Sequence, residues 1–185
     1  MKKIFLDCGA NNGMSIDMFR RKIDINDEFI IHSFECNPKF KNILDSYSND
    51  NTFIHDTAVW INNDTSAFYL GEDLCSSLNI TKTTGRLDKY NPIFVQCIRL
   101  SEFILTTFNH DDYIILKLDI EGAEYDVLMD LIDTGAIKYI NVLYGEFHNK
   151  KVDPKYTLMY DVITEYLYKN NLPMKHWCAE TNTIE

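Results

Sequence analysis

One pattern, written twice, does most to limit what this chain can fold into. At Lys3–Asp7 and again at Tyr113–Asp119 a short apolar run closes on a carboxylate, and a glycine follows within three residues. Such a run reads as a strand buried on both faces, and the glycine marks a tight turn out of it. Helical spacing follows the first run at Ser15–Lys22, with Met14, Met18 and Phe19 on one side. Phe29–Glu35 reads as a second strand and Pro38–Tyr47 as a helix with proline near its first turn, while Asn51–Trp60 contains a third strand. After Tyr113–Asp119 comes a helix carrying Ala123, Val127, Leu128 and Leu131 on one face, stopped by Gly135. A strand within Ile137–Phe147, a helix at Lys155–Lys169 and a last strand at Pro173–Cys178 complete the alternation. Strands alternating with helices specify a mostly parallel sheet with helices on its faces. Residues 61–111 break the rhythm: Ser66–Leu70 and Ile93–Arg99 read as strands around a polar stretch, Cys75–Asn91, and the whole is expected to be an insertion or lid. With 185 residues and roughly 100–200 residues per domain, residues 1–185 are expected to form one domain.

Charge narrows the partners. Eighteen Lys and Arg against 28 Asp and Glu leave a formal charge of −10. Nucleic acids and anionic membranes are bound through basic clusters, so neither is expected here. No apolar run approaches the roughly 18 residues of a membrane span. After Met1-Lys2-Lys3 the apolar run is only Ile4-Phe5-Leu6, too short for a secretory signal. Five cysteines without a C-x-x-C pair read as reduced thiols, which points to a cytoplasmic protein without a zinc site. Nothing in the sequence specifies an oligomeric state.

The chemistry concentrates at strand ends. Asp7-Cys8-Gly9-Ala10-Asn11-Asn12-Gly13 lies between the first strand and first helix, where glycines allow close approach to a ligand and the helix presents free N–H groups. The spacing is neither the dinucleotide G-x-G-x-x-G nor a triphosphate loop. A carboxylate at Asp7 repels pyrophosphate and suits a ligand bearing an ammonium group, such as S-adenosylmethionine (SAM). Glu35 stands 22 residues beyond Gly13, about where an acidic residue grips a ribose diol. Asp56 or Thr57, at the next strand end, is placed to meet an adenine edge. Alternation puts Lys117 and Asp119 on one side of their strand, and Asp119, Glu121 and Glu124 crowd around Gly122. Gly145-Glu146-Phe147-His148 ends the neighbouring strand with the side chain best suited to titrate near neutrality.

In order, D-x-G-A-N-x-G, F-E-x-N-P, A-V, S-S, L-K-x-D-I-E-G-A-E and E-x-H, the chain from Ile4 to His148 resembles the FkbM-type SAM-dependent methyltransferases. The strongest matches are Leu6–Gly13 and Leu116–Glu124. The resemblance implies the class I methyltransferase fold, a Rossmann-like three-layer α/β/α sandwich, with SAM as cofactor and methylation of a hydroxyl on a sugar, glycan or similar small molecule. By position it implies that Asp7, Gly9, Ala10, Asn11, Asn12 and Gly13 hold the methionine part and Glu35 the ribose. Asp56, Thr57 and Ala58 would flank adenine, and Ser77 belongs to the matching Ser76-Ser77 pair. Asp119 would lie beside the methyl group, with Lys117, Glu121, Glu124, Glu146 and His148 on the acceptor side. Two departures stand out: Cys36 occupies a place the family usually gives to proline, and the C-terminus is short, so the last one or two strands are expected to be abbreviated or missing.

A sugar hydroxyl is a weak nucleophile, so methyl transfer calls for a base, His148 first and Asp119 second. In the alternative, Asp119, Glu121, Glu146 and His148 hold Mg²⁺ or Mn²⁺, which acidifies the hydroxyl. Two other classes remain open at this level: a SAM-binding module without turnover, and a nicotinamide-dependent reductase.

Overall fold

The computed structural model describes residues 1–72, 75–148, 151–178 and 181–184. In chain order the elements are β1 (Lys3–Cys8), α1 (Met14–Lys22), β2 (Phe29–Phe34), a 3-10 turn at Pro38–Phe40 running into α2 (Lys41–Asp45), β3 (Thr52–His55), β4 (Ala58–Trp60), β5 (Thr65–Phe68) and β6 (Ile93–Arg99). They continue with α3 (Leu100–Thr107), β7 (Tyr113–Leu118), α4 (Glu124–Thr134), β8 (Ile140–Gly145), α5 (Lys155–Lys169), β9 (Met174–Cys178) and β10 (Thr183–Ile184).

Seven strands form one sheet in the order β10-β9-β8-β7-β1-β2-β3. Its pairings are parallel except for β9 with β10. Alternation along the strands sorts two cores. Ile4, Leu6 and Cys8 of β1 and Ile114, Leu116 and Leu118 of β7 pack with Leu100, Ile104, Val127, Leu128, Ile163 and Leu167 from α3, α4 and α5. Phe5, Ile31 and Ile115 point the other way, to Ile16 and Phe19 of α1, Leu44 near the end of α2, and Trp177. Phe5 and Phe19 stack with ring centroids 3.8 Å apart. The fold is therefore the Rossmann-like layered α/β architecture. Its strand order reverses at β1, which pairs with β2 on one side and β7 on the other; at such a switch point the loops diverge and leave a crevice.

The sequence expectations differ from the structure in four places. The strand expected within residues 51–60 is two: β3 ends at His55, and β4 joins a second sheet of order β4-β6-β5, because Ala58, Phe68, Val95 and Cys97 close a small core of their own. The 61–111 stretch, whose residues 73 and 74 lie outside the described residues, also contains α3; its apolar face, Leu100, Phe103 and Ile104, covers little more than one turn, too brief to register as a period. The strand expected from Ile137 begins at Ile140, after Gly135 (φ +78°) ends α4 and Ala136–Tyr139 forms a 3-10 turn. At the C-terminus no strand of the seven is missing: Met174–Cys178 fills the strand expected at Pro173–Cys178, and only the two-residue Thr183–Ile184 is abbreviated as expected. Cys8, Cys36, Cys97 and Cys178 are free thiols. Among the described residues no helix is long and apolar enough to cross a membrane.

Candidate active site

The switch point is assembled around Gly9. Its φ is +84°, and a Cβ there would stand 2.0 Å from the main-chain oxygen of Asp119, so the loops after β1 and β7 approach this closely only with glycine. The N–H groups of Gly9 and Ala10 both donate to Phe34 O, at 3.0 and 3.1 Å. Next to them Glu35 ties two loops together: Oε2 accepts from Asn11 N at 2.9 Å and Oε1 from Asn37 N at 2.7 Å. Burial pushes the Glu35 carboxyl above its ordinary pKa, opposed by those N–H groups and by the charge of Lys117.

Asp7 is placed differently from the expectation: it lies outside the cavity lining, paired with Lys117, which does line it. Strand register sets Ser33, Asp7 and Lys117 side by side on β2, β1 and β7. Asp7 is fully buried; Ser15 Oγ donates to its Oδ2 at 2.6 Å, Ser33 Oγ at 3.3 Å, and Lys117 Nζ stands 3.1 Å from Oδ1. Lys117 Nζ also donates to Gly9 O at 2.8 Å. Burial works against the Lys117 ammonium, but Asp7 and Asp119 outweigh it and leave its pKa above the ordinary value. The ammonium that Asp7 was expected to take from a ligand is thus supplied by the chain itself, as a brace under the glycine loop.

Across the crevice the β7–α4 loop carries Glu121 with φ +57°, a left-handed conformation uncommon outside glycine and frequent at functional sites. Three contacts hold it there. Ser77 Oγ donates to Glu121 O at 2.7 Å, Asn79 Nδ2 to Gly122 O at 3.1 Å, and the buried Lys82 ammonium donates to both Cys75 O and the Glu121 carboxylate. Glu124, fully buried at the start of α4, accepts from Ile120 N at 3.0 Å and Gly122 N at 2.9 Å. Its Oε1 also lies 2.9 Å from His148 Nδ1. That contact leaves His148 Nε2 facing Glu121 Oε2 at 3.6 Å, Glu146 Oε1 at 3.8 Å and Asp119 Oδ1 at 4.0 Å. Burial lowers the His148 pKa, yet the Glu124 hydrogen bond and the charges of Glu124, Glu121 and Asp119 raise it more, and the net direction is upward.

These two ends border one cavity of about 320 Å³. Of the residues expected at the cofactor, Gly9, Ala10, Asn11, Asn12, Glu35, Thr57 and Ala58 line it. Gly13 does not; it caps α1 at φ +87°, where a Cβ would meet the Tyr47 ring at 2.5 Å. Asp56 does not either: it is exposed and paired with Lys41. Ser77 stays behind the Glu121 loop, and its neighbour Ser76 lines the cavity instead. On the acceptor side Lys117, Asp119, Glu121, Glu146 and His148 line it, while Glu124 acts from behind His148. No motif marked Cys75, Trp177 or Lys82; Cys75 and Trp177 line the wall together with Asn37, and Lys82 reaches Glu121 from the 61–111 stretch. Asn37 stood in the F-E-x-N-P match, but no spacing connects Trp177 or Lys82 to the strand ends they meet. Three buried polar atoms of the lining residues lack a hydrogen-bond partner among the described residues: Asn11 Oδ1, Thr57 Oγ1 and Trp177 Nε1.

In a mostly parallel open sheet the crevice at the carboxyl ends of the central strands is where ligands are bound, and here that crevice is polar. The chain matches the methyltransferase FkbM domain over residues 7–169 of 185, and it belongs to that family of methyltransferases. No curated protein and no solved structure matches it.

Proposed function

We propose that the protein is a SAM-dependent O-methyltransferase acting on a hydroxyl of a sugar, glycan or similar small molecule. The observation that carries this reading is that Glu35 and Asp119 border the same cavity, with the Gly9 backbone cradle between them. The residues present fit SAM. Beyond its backbone partners Glu35 has lone pairs left for ribose hydroxyls, and the unpartnered Asn11 Oδ1, Thr57 Oγ1 and Trp177 Nε1 await polar groups of a nucleoside. SAM, when bound, supplies a methyl group already activated on a sulfonium.

What the chain itself contributes is alignment and proton removal. The glycine loop, braced by Asp7 and Lys117, keeps its backbone close to the ligand, and Asp119 offers a carboxylate oxygen to the reacting end. Side chains around His148 Nε2 draw the proton from the acceptor hydroxyl, and Glu124 keeps Nε2 turned toward the cavity. The stretch 61–111 supplies Cys75, Ser76 and Leu78 to the wall, and we assign it the selection of the acceptor and the part of a lid on a single domain. The net charge of −10 favours a neutral small acceptor over nucleic acid or an anionic membrane.

The test is calorimetry with S-adenosylhomocysteine, followed by radiolabelled methyl transfer to polyhydroxylated acceptors. Binding is expected, and His148→Ala is expected to lower turnover by about 10²–10⁴-fold while leaving that binding intact. Binding without transfer to any acceptor would mark a non-catalytic module, and a thermal shift with NADH in place of S-adenosylhomocysteine would mark a reductase.

A further inference from the structure

We propose that Asp119, Glu146 and Nε2 of His148 bind a divalent cation of the Mn²⁺ type. Each side chain offers one donor atom, and the three atoms lie within 4.8 Å of one another. From Nε2 the gaps to Glu146 Oε1 and Asp119 Oδ1 are 3.8 and 4.0 Å. Those gaps are too long for hydrogen bonds. Neighbouring donors on an octahedral ion stand about 3 Å apart for bonds of about 2.1 Å, so an ion would draw the two partly exposed carboxylates about 1 Å toward Nε2.

A second observation concerns the histidine alone. Its side chain is 1% exposed, and Glu124 fixes the ring through Nδ1, so Nε2 is aimed at carboxylates that stand beyond hydrogen-bond reach. His148 lines the cavity, so the ring nitrogen that Glu124 leaves uncommitted faces the space an ion would fill. A carboxylate on the far nitrogen is also how metal-binding histidines are commonly oriented.

The donor set excludes one residue that the sequence suggested. Glu121 is nearer to Nε2, at 3.6 Å, but the fully buried ammonium of Lys82 already neutralises it. Two carboxylates remain with a neutral imidazole, a charge of −2 that matches a divalent ion. An imidazole in the set favours Mn²⁺ over Mg²⁺, which prefers oxygen throughout. Two cations compete: Lys117 Nζ, 4.0 Å from Asp119 Oδ2, is held closer to Asp7 and Gly9 O, and Lys151 Nζ, 3.5 Å from Glu146 Oε1, has a side chain 38% exposed and free to swing into solvent.

What the ion would do rests on the methyl-transfer reading above, whereas its binding does not. With Nε2 on the ion, the ion would take the imidazole's place in proton removal, acidifying a bound acceptor hydroxyl so that its proton passes to water. The new O–CH₃ bond then forms as the S–CH₃ bond breaks, its electron pair going to sulfur.

The test adds Mn²⁺ alone to the full chain and follows free ion by electron paramagnetic resonance. One retained equivalent is expected, weakened about tenfold or more by Glu146→Gln and by Asp119→Asn. Both side chains are partly exposed, at 44% and 32%, and circular dichroism checks that each variant is folded. Retention that neither substitution weakens would reveal diffuse attraction to an acidic surface and overturn the proposal, as would no retention by the wild type. Titrating S-adenosylhomocysteine in EDTA tests the cofactor reading separately, so each failure is recognisable as its own.

Discussion

At the β1–β2 end of the cavity the carboxylates are satisfied by the chain. Asp7 has two serine hydroxyls and the Lys117 ammonium, and Glu35 has two backbone N–H groups. At the β7–β8 end Asp119 and Glu146 stand partly exposed around a histidine nitrogen they do not reach. The first arrangement makes a rigid cradle whose geometry exists before any ligand arrives. The second leaves two carboxylates that lysines approach only at 3.5 and 4.0 Å, beside a buried imidazole and a loop held at left-handed Glu121 by contacts from residues 77–82. Acids at one end thus brace backbone, and acids at the other are available to chemistry.

The largest test of that contrast is Lys117→Met. It strands the buried Asp7 carboxylate and is expected to remove about 3–5 kcal/mol of stability in urea unfolding. Asp119→Asn, at the open end, is expected to change stability by no more than about 0.5 kcal/mol, as for a surface substitution. Equal losses in the two variants would erase the distinction between the ends.

Gly9→Ala sharpens the same point at the backbone. Left-handed strain alone accounts for about 1–2 kcal/mol, and the contact with Asp119 O adds to it, so the urea midpoint should fall clearly while secondary structure is kept. A midpoint equal to wild type would mean that the β1 and β7 loops are not locked together as described.

The smallest effect serves as a control outside both ends. His32 Nδ1 lies 3.0 Å from His55 Nε2 between β2 and β3. Burial, with lesser pushes from His55 and Lys2, lowers the His32 pKa to about 4, and burial lowers that of His55 as well. The unfolded chain, with histidine near its ordinary value of about 6.5, then binds more protons between pH 6.5 and 4, so this pair's contribution is present above that window and lost as the pH falls through it. His32→Phe keeps the ring stacked on Phe53 and removes one proton site. Urea midpoints measured from pH 7 to 4.5 should therefore fall less steeply in the variant, and a steeper fall would contradict the assignment.

Much of this was legible in one dimension because it depends on near neighbours. Strand and helix periods, the Gly135 stop and the carboxylates at strand ends are local, and the helix Lys155–Lys169 has the bounds its spacing announced. Asp7 and Lys117 were both singled out, but as ligand contacts. Their partnership depends on β1 lying beside β7, a neighbour 110 positions away in the chain, since Asp7 pairs in register with Lys117. Lys82 was invisible for a similar reason: within a polar stretch a lysine reads as solvated, and only the folding of that stretch against the β7–α4 loop buries it on Glu121.

The amino-acid order by itself determined the class of fold, the loops that carry the site and the family, because apolar period and glycine placement act within a few residues. Only the tertiary structure decided which acids serve the scaffold and which face the cavity. That choice depends on which ammonium, hydroxyl or N–H group arrives beside each carboxylate, and distant segments deliver those partners only when the sheet closes.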